Sequence, residues 1–368
     1  MVSGKVSDRH SYEQRLDHLV ERTGERGLDA LLVTSDESIA YLTGFRPVQL
    51  ERFFGVVVAP GQSAVIVPAL DRGQIDEAPP QLIRISYGAE SDGMPELAEA
   101  LADARTVGVE EDHLIYARAR ALGERGFELA PAGSVVMGLR IAKDAAEIER
   151  IRAACELVEA GLRRAFEWLS PGVVEHALNA RVEGWLREQG ASGAHPLILF
   201  GENAANPHAD PGPRELREGD VVCADLSACL DGYWGDLTRC ATAGPASDWA
   251  TRAWQVVLDA QRAAIAAAQP GVPARDVDHA QRQIVEAANG LGACLHGAGH
   301  AVGLSIHEPP FLVPRADEPL VEGSVLTIEP GIYKRGVGGI RLEDDVVVRP
   351  GGPKVLSTLP LELVQLGA

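Results

Sequence analysis

From residue 11 onward the chain alternates two periodicities. The stretch "SYEQRLDHLVERTGERG" repeats its apolar positions at helical spacing and stops at Gly27. "DALLVTS" then reads as a short apolar strand, and "FFGVVVAP" and "SAVIVPAL" are two more, parted at Gly61. "ELAEALADA" returns to helical spacing, "RTVGVEE" to a strand and "ARARALGERG" to a helix. This succession predicts an α/β domain with about four to six strands, over residues 1–136. No glycine-rich phosphate loop follows its first strand, so nothing supports dinucleotide binding.

The pattern changes near Met137. "AKDAAEIERIRAACELVEAGLRRAFEWLSPG" predicts one long helix. Asp144 with Glu147 forms a capping-box signature at its start. Ile148, Ile151, Cys155, Leu162 and Phe166 make a buried stripe, and Pro171-Gly172 ends it. "VEHALNARVEGWLREQG" is a second helix, and two more run from about Asp248 to Gln269 and from Asp276 to Asn289. Strand-rich segments at 195–201, 220–242, 293–307 and 324–349 lie among them. Residues 137–368 therefore read as an α+β domain with an antiparallel sheet flanked by helices. No short solenoid repeat and no low-complexity tract is present.

Composition narrows the partners. The 368 residues are 46% hydrophobic and 24% charged, ordinary for a globular protein with a sizeable core. A formal net charge of −19 argues against nucleic acid or an anionic membrane as main partner, since both reward an excess of Lys and Arg. The five cysteines (Cys155, Cys223, Cys229, Cys240, Cys294) contain no CxxC pair, so a disulfide framework or thiolate zinc knot is not expected. Free thiols, no apolar leader in "MVSGKVSDRHSYEQRLDHLV" and no membrane-length apolar run predict a cytoplasmic protein.

Two acidic segments carry candidate chemistry. In "DVVCADLSACLDGYWGDLTRC", Asp231-Gly232 is a strong hairpin signal. If those two residues are the turn, Asp236 faces Ser227 and Asp225 points the same way. The two aspartates are then diagonal neighbours ~7–8 Å apart on one face; a three-residue loop would break this arrangement. Two carboxylates on a mostly apolar face need a basic side chain or a divalent cation, unless one reaches solvent at a strand end. In "SVLTIEPGIYKRGVGGIRLEDDVVV", Glu329 ends an apolar strand, while Arg341 and Glu343 alternate along the next and share a face. Glu329 could instead bond a loop. Glu343 could pair with Arg341, or open an acidic turn with Asp344 and Asp345.

Three of the chain's ten histidines fall within "LHGAGHAVGLSIHEPP". His296 and His300 have the spacing of a helical two-histidine metal face, but Gly297, Gly299 and Gly303 disfavour a helix, and position 297 is not the Glu a metalloprotease helix requires. A strand or tight loop fits better, with glycine admitting close approach by another backbone or a ligand. Two Asp, two Glu and at least one His suit hard or borderline divalent ions such as Mn²⁺, Co²⁺ or Zn²⁺. Five protein ligands are more than one catalytic ion usually takes. They suit a pair of ions sharing carboxylates and an acidified water, which points to metal-assisted hydrolysis.

The ordered set "VCADLSA", "YWGDLTR", "HGAGHAVGL", "TIEPGIY" and "GGIRLEDD" resembles the prolidase/aminopeptidase P family of pita-bread metallopeptidases. The resemblance covers nearly the whole chain. "SIAYLTGF" looks like the marker of that family's N-terminal domain and "LRIAKDAAEIERIRAA" like its inter-domain helix. The resemblance implies a creatinase/prolidase-type N-terminal α/β domain and a pita-bread catalytic domain with a curved antiparallel sheet. It further implies that Asp225, Asp236, His300, Glu329 and Glu343 bind two metal ions, Mn²⁺ foremost, with Asp236 and Glu343 bridging. Glu329 would also serve as general base, and His208 and His307 would steady the substrate and its tetrahedral intermediate. His296 and Arg341 would stand on the substrate side. The implied substrates are small peptides with proline second, cleaved at the Xaa-Pro imide bond, by an enzyme that is usually a homodimer.

Where the family motif runs His-Gly-Thr-Gly-His-Gly, this chain has Ala298 and Ala301. Both are small, so a close-packed strand survives. Aminopeptidase P shares the catalytic core and acts on longer peptides; the modest N-terminal domain favours the dipeptidase by analogy. A creatine-hydrolysing relative would lack the acidic ligands, and a methionine aminopeptidase normally lacks such an N-terminal domain. An inactive binding scaffold would show degenerate ligands, and all five are kept here.

Overall fold

Left-handed glycines punctuate the chain where the helical pattern stops. Gly27, Gly44 and Gly190 take φ of 68°, 74° and 103° just after helices end, a conformation that costs glycine little. The computed structural model describes residues 4–367, with side chains from residue 11. The chain divides after Arg140 into two compact units.

In the first unit the order is α1 (Gly4–Glu25), β1 (Ala30–Val33), α2 (Asp36–Thr43), β2 (Gly55–Val58), β3 (Ser63–Pro68) and β4 (Leu82–Tyr87), then α3 (Met94–Ala100), β5 (Thr106–Val109), α4 (Tyr116–Glu124), β6 (Glu128–Pro131) and α5 (Gly133–Ile141). One six-stranded sheet runs β4-β3-β2-β1-β5-β6. It is mixed: β1, β5 and β6 are parallel, as are β3 and β4, while β2 is antiparallel to both its neighbours. Leu32, Val57, Ile66 and Val107 of the sheet pack against Leu97 and Leu122 of the helices.

The second unit holds α6 (Ala145–Trp168), α7 (Glu175–Glu188), β7 (Gly193–Phe200), β8 (Val221–Leu230), β9 (Tyr233–Ala243), α8 (Asp248–Ala267) and α9 (Ala274–Ala287). It continues with β10 (Gly299–Ala301), β11 (Glu308–Leu312), β12 (Val325–Ile328), β13 (Gly331–Lys334), β14 (Gly338–Arg341), β15 (Asp344–Val347), β16 (Lys354–Val355) and β17 (Val364–Leu366). The predicted capping box forms: Glu147 N–H donates to Asp144 at 2.8 Å and Asp144 N–H to Glu147 at 2.9 Å. Of the predicted α6 stripe, Ile151, Cys155 and Leu162 are buried, while Ile148 and Phe166 are half-buried.

The strands of this unit form sheets of five (β11-β10-β12-β15-β16), four (β17-β9-β8-β7) and two (β13-β14). All pairings are antiparallel except β17 with β9. Helix α6 covers one face of β8–β9. A Cβ on Gly235 would stand 2.5 Å from the Cys155 nitrogen, and one on Gly161 would stand 3.1 Å from Leu226. Because strand side chains alternate faces, the neighbours of Gly235 and Leu226, which include Asp236 and Asp225, point away from α6. All five cysteines are free, four of them buried. Among the described residues no helix is long and apolar enough to cross a membrane.

Candidate active site

Asp231 and Gly232 are the two-residue turn between β8 and β9, with φ of 49° and 84°. Positive φ at both positions is what a type I′ hairpin requires. Ser227 stands opposite Asp236 and Asp225 opposite Thr238. The Asp236 N–H turns away from β8 and donates to Asp345 at 3.1 Å. The Ser227–Asp236 pair therefore lacks ladder hydrogen bonds, the geometry that brings side chains closest. Ser227 Oγ donates to Asp236 at 3.0 Å.

The two glutamates come from an interruption in the neighbouring strands. Ile328 pairs with Asp344 and Gly331 with Arg341. The register is the same on both sides of the break, which sets Glu329 opposite Glu343. Released from each other, their backbones bond elsewhere: Glu329 N–H to Ala298 O at 2.8 Å, Glu343 N–H to Thr238 O at 3.2 Å. The break thus ties the glutamates to the strands that carry His300 and Asp236. Asp344 and Asp345 do not form an acidic turn. Both lie on β15, buried, Asp344 paired with Arg239 at 2.7 Å and Asp345 bonded to Cys155 at 3.0 Å. Arg341 pairs with Asp225 at 2.5 Å rather than with Glu343.

The histidine segment is a strand and a loop. Gly299 takes φ of 146°, and a Cβ there would run into the Thr327 carbonyl, so β10 can approach β12 only with glycine at this position. His300 Nδ1 faces the Ala301 carbonyl at 3.1 Å. A carbonyl can only accept, so Nδ1 carries the proton and Nε2 keeps its lone pair, 3.6 Å from Glu329. By the same reasoning His296 Nδ1 donates to Gly297 O at 2.8 Å, and its Nε2 accepts from the Tyr333 hydroxyl at 2.7 Å. The His307 ring lies 3.8 Å from that of His300, between centroids. All nine residues singled out in the sequence, His208, Asp225, Asp236, His296, His300, His307, Glu329, Arg341 and Glu343, line one cavity of about 190 Å³.

Charge in this cavity is unbalanced. Burial, then the charges of Asp225, Asp345 and Glu329, push the Asp236 carboxyl well above the ordinary range. Burial and the charge of Asp236 do the same to Glu343. Burial lifts Glu329 to about 8, against the pull of Arg341. Burial also drives His300 down to about 3 and His296 to about 4, so both rings are neutral. Neutral imidazoles beside crowded carboxylates are a ligand set short of cations.

Three groups of donor atoms meet the spacing of a metal site, each within 4.8 Å: Asp225/Asp236/Glu343, His300/Glu329/Glu343 and Asp236/His300/His307. Asp236, His300 and Glu343 each belong to two groups. Oxygen donors with imidazole fit hard or borderline divalent cations, and the raised carboxyls are what such cations would discharge.

Sequence reasoning missed the groups that hold these donors. Thr238 Oγ1 donates to Glu343 at 2.7 Å and accepts from Arg341 Nε at 3.2 Å. Arg341 also donates to Tyr333 at 2.8 Å, linking it to His296. Thr327 Oγ1 accepts from the His300 N–H at 3.1 Å. Thr238 was within reach, since the hairpin register that pairs Ser227 with Asp236 also pairs Asp225 with Thr238.

Residues 15–142 match the creatinase/prolidase N-terminal domain, and residues 149–350 match metallopeptidase family M24. "Putative dipeptidase YkvY" of Bacillus subtilis is 34% identical over 352 residues, covering 93% of this chain and 97% of its own. The Xaa-Pro dipeptidase from Bacillus anthracis superposes with a TM-score of 0.89 at 27% identity, covering 96% of this chain and 100% of its own. The X-Pro aminopeptidase from Thermotoga maritima does so with a TM-score of 0.83 at 28% identity, covering 93% and 99%. The fold is thus the two-domain arrangement of those enzymes, and its second unit is a pita-bread domain. The M24 match runs over more than half of the chain, and the chain is a member of that metallopeptidase family.

Proposed function

We propose that this chain hydrolyses the Xaa-Pro imide bond of dipeptides at a site for two divalent cations, Mn²⁺ before Co²⁺ or Zn²⁺. The observation that carries the reading is the overlap of the donor groups, in which Asp236, Glu343 and His300 are each shared; of these only the two carboxylates have a second donor oxygen with which to serve two cations at once. Asp225 and Asp236 would hold one cation, His300 and Glu329 would serve the other, and Asp236 and Glu343 would be common to both. When bound, the cations supply Lewis acidity, polarising the scissile carbonyl and acidifying water.

The chain's own groups do the rest. Glu329 takes a proton from the attacking water as its oxygen bonds to the carbonyl carbon. That proton passes to the proline nitrogen as the C–N bond breaks, so a carboxylic acid and a secondary amine leave. His307 and His208 stand toward the reacting carbonyl and steady the negative charge on its oxygen. His296 has both ring nitrogens engaged and serves as a fixed wall on the substrate side, held by Tyr333. Arg341 orients Asp225.

The likeness to the Xaa-Pro dipeptidase from Bacillus anthracis supports a dipeptide substrate. The likeness to an X-Pro aminopeptidase supports a second reading, release of the first residue from longer Xaa-Pro peptides. Family resemblance also supports a homodimer, which sedimentation at micromolar concentration would test. The deciding experiment strips the protein of metal, restores Mn²⁺, and compares Ala-Pro with a longer Xaa-Pro peptide. Turnover of Ala-Pro alone supports the dipeptidase and turnover of the longer peptide the aminopeptidase. Inertness toward both, with metal bound, sinks the proposal.

A further inference from the structure

Two motifs singled out in the sequence are not used by that chemistry: the Lys143 segment ahead of α6 and the Glu308 of "IHEPP". The structure joins them. Lys143 Nζ lies 2.7 Å from Glu308 Oε1, with side chains 1% and 2% exposed. We infer that this pair positions His307, a role that rests on the proposed part of His307 at the reacting carbonyl.

Glu308 opens β11 directly after His307. Its second oxygen accepts from the Ser305 N–H at 3.4 Å, within the loop that leads to His307. A Cβ on Gly303 would stand 2.5 Å from the Glu308 carboxylate and 3.0 Å from Lys143 Cε, so the loop lies directly on the ion pair. Trp234 N–H holds the same loop to β9 through Gly303 O at 2.8 Å. Lys143 is itself fixed, its N–H donating to Gly323 O at 3.0 Å. The His307 ring is exposed and, among the described residues, makes no hydrogen bond, so apart from its contact with the His300 ring its place in the cavity depends on the backbone of residues 302–308.

A buried ion pair is seldom the most stable filling for a site, and apolar residues of similar volume often serve stability as well or better. What the pair adds is direction: one fixed cation under one fixed carboxylate, which sets the loop at one height. Neither Lys143 nor Glu308 lines the cavity. They are positioning residues and act through His307.

The test is a mutant cycle on the full-length, Mn²⁺-loaded protein with an Xaa-Pro dipeptide. It combines His307→Ala with the paired replacement Lys143→Met/Glu308→Leu, which leaves no lone buried charge. Displacing His307 should lower kcat by about tenfold or more, because small misplacements of catalytic groups are costly. KM should stay within about twofold, since uniform binding is not touched. In the His307→Ala background the paired replacement should cost nothing further. Glu308→Gln is the milder second variant, with a smaller loss and the same non-additivity. The imidazole NMR resonance of His307, recorded on the metal-free protein because paramagnetic Mn²⁺ would broaden it away, and assigned by its disappearance in His307→Ala, should shift in both variants. Equal losses of kcat with and without His307, or an unmoved resonance, overturn the positioning role. A wild-type protein inert toward Xaa-Pro peptides strikes the proposed reaction instead, and the resonance still decides on Lys143 and Glu308.

Discussion

Glu159 and Glu343 are both glutamates of the second unit with little exposed surface, 3% and 1%, though Glu343 is set deeper in the protein. Their surroundings push them in opposite directions. Burial alone would raise Glu159, but hydrogen bonds from Thr358 and Leu359 outweigh it, and its carboxyl lies below the ordinary value. It accepts from the Thr358 N–H, from Thr358 Oγ1 at 2.9 Å and from the Leu359 N–H at 3.0 Å, and pairs with Arg163 at 3.1 Å. Glu110 in the first unit is satisfied in the same way, by the N–H groups of Thr34 and Ser35 and the hydroxyls of Ser35 and Ser38. Glu343 has the Thr238 hydroxyl and a crowd of like charges. A buried carboxylate wrapped in donors is holding the chain together. One left short of donors beside its own kind is waiting for a cation.

The strongest way to break this comparison is to empty the crowded side. Asp236→Ala or Glu343→Ala removes a donor common to two groups. Each should lower turnover of an Xaa-Pro dipeptide by at least about 10³-fold, with bound metal falling in elemental analysis. Either variant with near-normal turnover and full metal content would end the sharing assignment. Thr238→Val asks less. It deletes the one hydroxyl between Glu343 and Arg341 while keeping the shape of the side chain. Loss of such an outer partner typically costs 10–100-fold in metal affinity or activity. Titrating Mn²⁺ into the metal-free variant reads this directly.

The opposite signs also give opposite pH dependences. The folded value of Glu329 is about 8 against an ordinary 4.5. A raised group adds stability that is complete below pH ~4.5 and disappears as pH rises toward 8. Glu159, lowered, adds stability that is present above its ordinary value and lost as pH falls through its folded one. Metal-free protein should therefore melt roughly 5–10 °C lower at pH 8 than at pH 5, and saturating Mn²⁺ should remove that slope, because a ligand of the folded state alone stabilises it. A metal-free melting temperature that climbs over this range would contradict the charge imbalance.

How much of this was legible before the structure depends on how local the signal is. The Asp231-Gly232 turn fixes the register of two strands from a dipeptide, so the shared face of Asp225 and Asp236 could be read from the letters. The Asp144–Glu147 cap is equally local, and so are the glycines that keep residues 296–303 out of a helix. The opposition of Glu329 and Glu343 was not legible. It needs the interruption between β12–β15 and β13–β14, which arises because both backbones turn to partners far away in sequence, Ala298 and Thr238. The partner of Arg341 was not legible for the same reason. Alternation along its strand sets it beside Glu343, but its guanidinium reaches across to Asp225 on another sheet. Strand β4 in the first unit also escaped, since "LIRISY" is a half-exposed edge strand whose pattern is weak.

The smallest effect is expected on the donor-rich side, where it sharpens the comparison most. Glu159→Gln keeps the size of the side chain but removes its charge and turns one acceptor oxygen into an NH₂ that can only donate, so the bonds from Thr358, Leu359 and Arg163 lose their charge assistance and that to Arg163 loses its acceptor. Hydrogen bonds to a charged group are worth about 1.5–3 kcal/mol, so urea unfolding should show a loss of that order. There is a route by which the change could reach the site. Arg239 donates to Leu359 O and to Glu343 O, at 2.7 and 2.6 Å, and so spans the two segments. Yet Arg239 is also gripped by Asp344 at 2.7 Å and Pro360 O at 3.0 Å. With those two contacts kept, loosening Leu359 should not move Glu343. Metal content and kcat/KM should stay within about twofold of the parent protein, since the change touches none of the donor residues. If Glu159→Gln loses metal along with stability, the two kinds of buried carboxylate are one coupled network, and the division drawn between them fails.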